Sequence, residues 1–147
     1  MTSSLPYEPR AIIGRREMIT LPELDLTLVC KTDTGARTSA LHAEDIEIIE
    51  SDDQCWVSFT TWTGDEKEEN ARRFTLPVHD RRNVRSSNGV SEWRYVIQTP
   101  MRLGPLSYDI ELTLVDRNEM RHPMLLGRRA MRRLLVAPGT SFLHGAP

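Results

Sequence analysis

Apolar and polar residues alternate with a period of two along most of this chain. The alternation predicts strands over residues 24–30, 56–62, 73–78, 93–99 and 108–115, with a further strand over 45–49. Turn residues separate them. Thr63-Gly64-Asp65 and Leu103-Gly104-Pro105-Leu106 are two such turns, and Ser86-Ser87-Asn88-Gly89 carries the Asn-Gly pair that favours a tight hairpin. The acidic stretch 65–70 reads as a solvated loop. One segment has a helical period, residues 128–135, where Ala130, Met131, Leu134 and Leu135 form an apolar stripe among arginines. Pro138-Gly139 ends it, and residues 141–143 suit a last strand. Many short strands, one short late helix and no repeats predict a single all-β or barrel-like domain over residues 20–147. Residues 1–19 are expected to form an N-terminal arm.

Composition narrows the class. A chain of 147 residues, 39% hydrophobic and 27% charged, is long enough to bury one real core. No apolar run approaches the ~18 residues that span a bilayer, so no membrane partner is expected. The N-terminus has no apolar h-region, which argues against a signal peptide and for a cytoplasmic location. Cys30 and Cys55 lack a C-x-x-C spacing and read as buried thiols rather than a disulfide or metal site.

The net charge of −2 conceals an asymmetry, because residues 1–70 carry 6 basic and 15 acidic side chains and residues 71–147 carry 13 and 6. Of the 19 basic residues, 17 are arginine. Either the halves compensate on folding, or an arginine-rich face attracts acidic ligands such as glutamate-rich peptides. Few exposed aromatics interleave with the arginines, which disfavours single-stranded nucleic acid as the partner.

The candidate chemistry begins at Asp33-Thr34-Gly35-Ala36, which follows the first apolar strand. Peptide hydrolysis by water needs a base to take its proton and an acid to protonate the carbonyl oxygen. Two adjacent carboxylates do both, because they cannot both ionise cheaply and so share one proton. The chain offers one well-framed Asp-Thr-Gly, so a second carboxylate must come from elsewhere in the chain or from a second copy across a twofold axis. Alone, the triplet is equally an ordinary strand-end turn. No G-x-x-x-x-G-K-[ST] loop provides an ATP site, and no H-E-x-x-H a zinc site. His42, His79, His122 and His144 are dispersed. No metal and no cofactor is expected, and His42 is assigned a local structural role.

The triplet does not stand alone. The order strand, Asp33-Thr34-Gly35-Ala36, hairpin strands, Leu125-Leu126-Gly127-Arg128, short helix and terminal strand resembles the retropepsin-like aspartic peptidases. Lys31-Thr32-Asp33-Thr34-Gly35-Ala36-Arg37-Thr38-Ser39-Ala40-Leu41-His42-Ala43, Arg85-Ser86-Ser87-Asn88-Gly89 and His122-Pro123-Met124-Leu125-Leu126-Gly127-Arg128 resemble, more closely, the bacterial branch labelled ATP-dependent zinc protease. That branch is associated with ATP-grasp ligases that add glutamates to ribosomal protein.

The resemblance covers roughly residues 20–145 and implies a closed acid-protease barrel with one short C-terminal helix over 128–135. It implies a homodimer in which residues 140–143 join an intersubunit sheet. Asp33 would be catalytic, Thr34 would brace the two loops across the axis, and Gly35 would present backbone to the substrate. Ala36 would pack beneath it, and Leu126 and Gly127 would flank the loop. Residues 84–91, with Ser86, Ser87, Asn88 and Gly89 at the tip, would be the substrate-covering flap. Arg37 departs from the viral pattern, which has an acidic residue there. Arg128 must then find another partner, with Asp45 the candidate, and the cleft should favour acidic peptides.

These residues lead to an expected function: a cytoplasmic, homodimeric aspartic endopeptidase acting on acidic or glutamylated proteins. A non-catalytic module that binds glutamylated tails or an ATP-grasp ligase is the alternative. A third reading, metal-dependent hydrolysis, predicts stoichiometric zinc.

Overall fold

The computed structural model describes residues 8–62, 71–85, 88–116 and 122–147. Among the described residues twelve strands run in order: β1 (Ala11–Gly14), β2 (Arg16–Leu21), β3 (Leu26–Thr32), β4 (Ser39–His42), β5 (Glu44–Ser51), β6 (Gln54–Thr61), β7 (Arg72–Pro77), β8 (Asp80–Arg85), β9 (Ser91–Leu103), β10 (Leu106–Val115), β11 (Met124–Leu126) and β12 (Leu134–Ala137). Strands β10, β4, β11, β3, β2 and β9 pair in that order, and β9 pairs back onto β10, closing a six-stranded barrel. Strand β8 extends the barrel as a hairpin with β9, and β5, β6 and β7 form a separate three-stranded sheet.

Alternation explains the closure. In β3, Leu26, Leu28 and Cys30 point inward and are 1% exposed, while Thr27 and Lys31 face out. Leu41, Ile97, Met101, Leu103, Leu112, Met124 and Leu126 bring the same inward face from the other strands. They form one core with Val57 and Phe59 of β6, and Phe59 packs on Phe74 of β7 at 5.8 Å between ring centroids. One contiguous core is what a closed barrel needs, since closure removes the unpaired edges.

The predicted β-class is therefore correct, and so are the strands near residues 24–30, 45–49, 56–62, 73–78, 93–99 and 108–115. Three expectations are revised in detail. Residues 11–19, expected in an N-terminal arm, belong to strands β1 and β2 apart from Arg15 between them; β2 pairs along its whole length with β3. The short helix expected over residues 128–135 covers only the first half of that span. Arg128–Met131 make one 3-10 turn, and Leu134–Ala137 turn into a strand parallel to β1. Met131 and Leu134 are buried while Leu135 is 39% exposed, so the stripe read as helical is satisfied by a turn followed by alternation. The unpaired edge of β1 decides the outcome, because eight residues cannot hold a helix without tertiary support.

Residues 140–143 are not a strand either. Phe142 sits at φ 56°, in the left-handed region, and the N–H groups of Leu143 and His144 go to the carboxylate of Glu17 instead of a ladder. The expected loop at 65–70 lies outside the described residues.

Candidate active site

Asp33 follows the last residue of β3, and its backbone is held from two sides. Its N–H donates to the Leu126 carbonyl at 2.9 Å, and its own carbonyl accepts from Ala36 N–H at 3.2 Å. The Gly35 N–H donates to Asp33 Oδ1 at 3.0 Å, an Asx-type turn that fixes the carboxylate on its own loop. One carboxylate oxygen is thus engaged while the side chain stays partly exposed.

The Leu-Leu-Gly segment braces this loop. Strand β11 lies between β3 and β4, parallel to the first and antiparallel to the second. Gly127 N–H donates to the Ser39 hydroxyl at 3.0 Å. A Cβ at Gly127 would fall 2.5 Å from the Thr38 carbonyl carbon and oxygen, so only glycine allows this approach. Beyond it, Arg128 N–H donates to the Ala36 carbonyl at 2.8 Å and Arg129 N–H to the Arg37 carbonyl at 3.1 Å. The two segments are zipped together from Asp33 to Arg37.

A second brace comes from the N-terminal strands. Thr32 donates its hydroxyl to the Arg15 carbonyl at 3.0 Å and its N–H to the same carbonyl at 3.0 Å. The Gly14–Arg15 corner is itself held by Glu17, 1% exposed, whose carboxylate accepts from the N–H groups of Gly14 (2.7 Å), Leu143 (3.1 Å) and His144 (3.1 Å). Sequence reasoning missed Glu17. The signal was available, since Ile19 and Leu21 point inward and the period of two places Glu17 on the same face.

An open cavity of about 630 Å³ lies at Asp33. Gly35, Ala36, Arg37, Leu125 and Arg128 line it from the loop side, and Val84 and Arg85 of the β8–β9 hairpin line it from the other. The volume is that of a ligand-binding cleft. Leu126 and Gly127 are buried behind the loop, and Thr34 is exposed with its carbonyl accepting from Arg128 Nη1 at 3.1 Å. That bond answers the question of the Arg128 partner. Among the described residues no ion pair joins Arg128 to Asp45, whose backbone carbonyl accepts from Arg73 at 3.0 Å. At the hairpin tip, Gly89 has φ 83° and Asn88 Oδ1 accepts from Val90 N–H at 3.2 Å, the hairpin chemistry read from the sequence. Ser86 and Ser87 lie outside the described residues.

Among the described residues six arginines line the Asp33 cavity (Arg37, Arg82, Arg85, Arg94, Arg128 and Arg129), with Asp33 the one carboxylate in that lining. Five of the six come from the basic second half of the chain. Two are paired. Arg82 bonds Asp80 at 2.7 Å and also Glu111, and Arg94 bonds Glu92 at 2.7 Å. Those bonds hold Glu111 below the usual carboxylate range, chiefly through the Arg82 hydrogen bond, and raise Arg82. Asp80 is also lowered, first by the Arg81 N–H and then by the Arg82 side chain.

Folding also assembles one group that the spacing did not suggest. Donor atoms of His42, Glu44 and Asp116 lie within 4.8 Å of one another. One imidazole and two carboxylates suit a divalent cation by donor type. The group sits at the end of β4 opposite Thr38, away from the Asp33 loop. His42 is buried there with its ring edge-on to Trp62 at 4.8 Å between centroids, and its carbonyl accepts from the Thr61 hydroxyl at 2.7 Å.

Comparison with known proteins agrees with this geometry. Residues 12–147 match the model of the RimB-like family, described as retropepsin-like aspartic endopeptidase RimB. A protein of Shewanella pealeana named probable alpha-L-glutamate ligase is 41% identical over 136 residues, which are 91% of this chain and 30% of that protein. A protein of the same name from Desulfotalea psychrophila is 40% identical over 131 residues, 88% of this chain and 28% of its own. The chain thus spans less than a third of the length of these relatives. Among solved structures, a Legionella pneumophila protein of unknown function superposes with a TM-score of 0.75 at 29% identity, covering 92% of this chain and 98% of that one. No helix among the described residues is long and apolar enough to cross a membrane.

Proposed function

The chain belongs to the RimB-like family of retropepsin-like aspartic endopeptidases, and on that premise we propose that it hydrolyses peptide bonds as a homodimer. The observation that carries the proposal is the braced Asp33 loop opening into a 630 Å³ cavity. One chain supplies one such carboxylate. A twofold axis through the loop brings two Asp33 side chains together, one ionised and one protonated, with a water between them. The ionised Asp33 takes the water proton as the oxygen attacks the peptide carbonyl. The protonated one hydrogen-bonds the carbonyl oxygen and donates as charge develops there. Thr34 braces the paired loops, and the β8–β9 hairpin with Asn88 and Gly89 at its tip closes over the bound peptide. No step passes through the His42, Glu44 and Asp116 group.

The arginine-lined cleft supports acidic or glutamylated protein substrates, because an excess of guanidinium groups draws carboxylates to Asp33. The glutamate-ligase name of the relatives supports a functional link with such a ligase, whose product would be an acidic chain end. A cytoplasmic location accords with that link. Asp33→Asn is expected to abolish cleavage of a glutamate-rich peptide while leaving the dimer intact by analytical ultracentrifugation. Full activity in that variant rules the mechanism out. The same arginines support a second reading, a module that binds acidic chains without cutting them. An inert wild-type chain that still captures such peptides would establish it.

A further inference from the structure

A second cavity, of about 640 Å³, adjoins the Asp33 cavity and shares Arg37, Thr38, Arg128 and Arg129 with it. Its far side is formed by Gln98, Tyr108, Asp109, Glu111 and Arg132. The shared arginines are held in place by backbone bonds, Arg129 N–H to the Arg37 carbonyl and Arg128 N–H to the Ala36 carbonyl. Their side chains differ in what they already do. Arg128 donates to the Thr34 carbonyl, whereas Arg37 and Arg129 are exposed and make no ion pair among the described residues. By contrast, Arg82 and Arg94 of the first cavity are each committed to carboxylates of the chain itself. In the second cavity the Glu111 charge is offset by Arg82, which leaves Asp109 as its one carboxylate without an ion pair among the described residues.

We propose that the second cavity is a remote subsite of the Asp33 cleft, walled from it by Arg37 and Arg129, that takes carboxylate side chains of the same acidic peptide. The inference rests on the substrate class proposed above and adds where the discrimination is made. A single glutamate at Asp33 reaches the Arg37 and Arg129 wall from the Asp33 side only. A longer acidic chain also reaches past the wall, engages both free guanidinium groups and enters the second cavity. Recognition then depends on the length of the acidic run as well as on its presence.

The test uses the full chain carrying Asp33→Asn and fluorescein-labelled oligoglutamates of about three and about eight residues, which as strands differ in reach by roughly 17 Å. Binding is followed by anisotropy. The longer probe is expected to bind about tenfold more tightly, the equivalent of one charge-assisted hydrogen bond. Gln98→Trp, which fills the second cavity without changing charge, and Arg129→Gln are each expected to bring the ratio of the two affinities close to one. Arg102→Gln, an exposed site on β9 that lines neither cavity, is expected to leave the ratio unchanged. If Gln98→Trp fails to fold by circular dichroism, Arg129→Gln at its exposed position carries the test.

A ratio near one in the parent, or a tenfold ratio that survives in the folded variants, overturns the subsite. A wild-type chain that cleaves no peptide yet keeps the length dependence removes the peptidase reading and leaves the subsite standing. Cleavage of glutamate-rich peptides with no length dependence does the reverse.

Discussion

Glu17→Ala tests how the Asp33 loop is supported from outside the cleft. The Glu17 carboxylate is 1% exposed and accepts three backbone N–H groups, from Gly14, Leu143 and His144. Removing it strands those donors unequally. Gly14 is buried, and a Cβ there would lie 2.6 Å from the Thr140 carbonyl oxygen, so no water replaces the lost acceptor without displacing the tail. That donor alone costs about 1–3 kcal/mol. Leu143 is 47% exposed and His144 partly exposed, so their N–H groups regain water when the tail lifts, and each loses only about 1 kcal/mol. The expected loss is roughly 3–5 kcal/mol, a large share of the 5–15 kcal/mol that holds a typical domain. Glu17→Gln keeps one acceptor oxygen and should lose about half as much.

Urea unfolding followed by tryptophan fluorescence measures the loss as a shift in midpoint at constant slope. The same clamp holds the Gly14–Arg15 corner that receives Thr32, one residue before Asp33. Cleavage by Glu17→Ala should therefore fall even at temperatures where the variant stays folded. A loss below about 1 kcal/mol in Glu17→Ala would refute the clamp.

Further expectations concern the barrel and the cleft. Gly127→Ala forces a Cβ to 2.5 Å from the Thr38 carbonyl; it should cost about 1–3 kcal/mol and depress cleavage by displacing the loop, and wild-type turnover in that variant would contradict the close packing. Glu111 has its carboxyl lowered by Arg82, so their pairing contributes stability that is complete above the ordinary carboxylate range and lost as pH falls through the lowered value. The gap in melting temperature between wild type and Glu111→Gln should accordingly hold from pH 7 to about 5 and narrow below about 4; a gap that widens on acidification has the wrong sign. The Cys30 thiol is pushed far up, first by burial and then by the Glu17 charge, so a thiol reagent should titrate only Cys55 in the folded chain and both cysteines in urea. Two reactive thiols under native conditions would show that the core opens.

The sequence by itself determined the β class, most strand positions and the residues of the Asp33 turn. Strand alternation is local and survives in the folded chain because one barrel face is buried, as Leu26, Leu28 and Cys30 show. Asp33-Thr34-Gly35 and Leu126-Gly127 were legible because a turn that binds its own carboxylate and a strand that must pass within van der Waals contact both demand particular residue types. The tertiary structure alone decided what residues 128–137 become, since a period compatible with a helix gave way to pairing with the open edge of β1. It also decided that residues 11–21 belong to the structure that braces the site, and that Glu17 collects donors from positions 14, 143 and 144. Above all it sorted the arginines. In sequence they are a charge count; in space some are spent on Asp80, Glu92 and Glu111, while Arg37 and Arg129 face the cleft unspent. Pairing between residues distant along the chain carries no local signature, which is why only folding could reveal it.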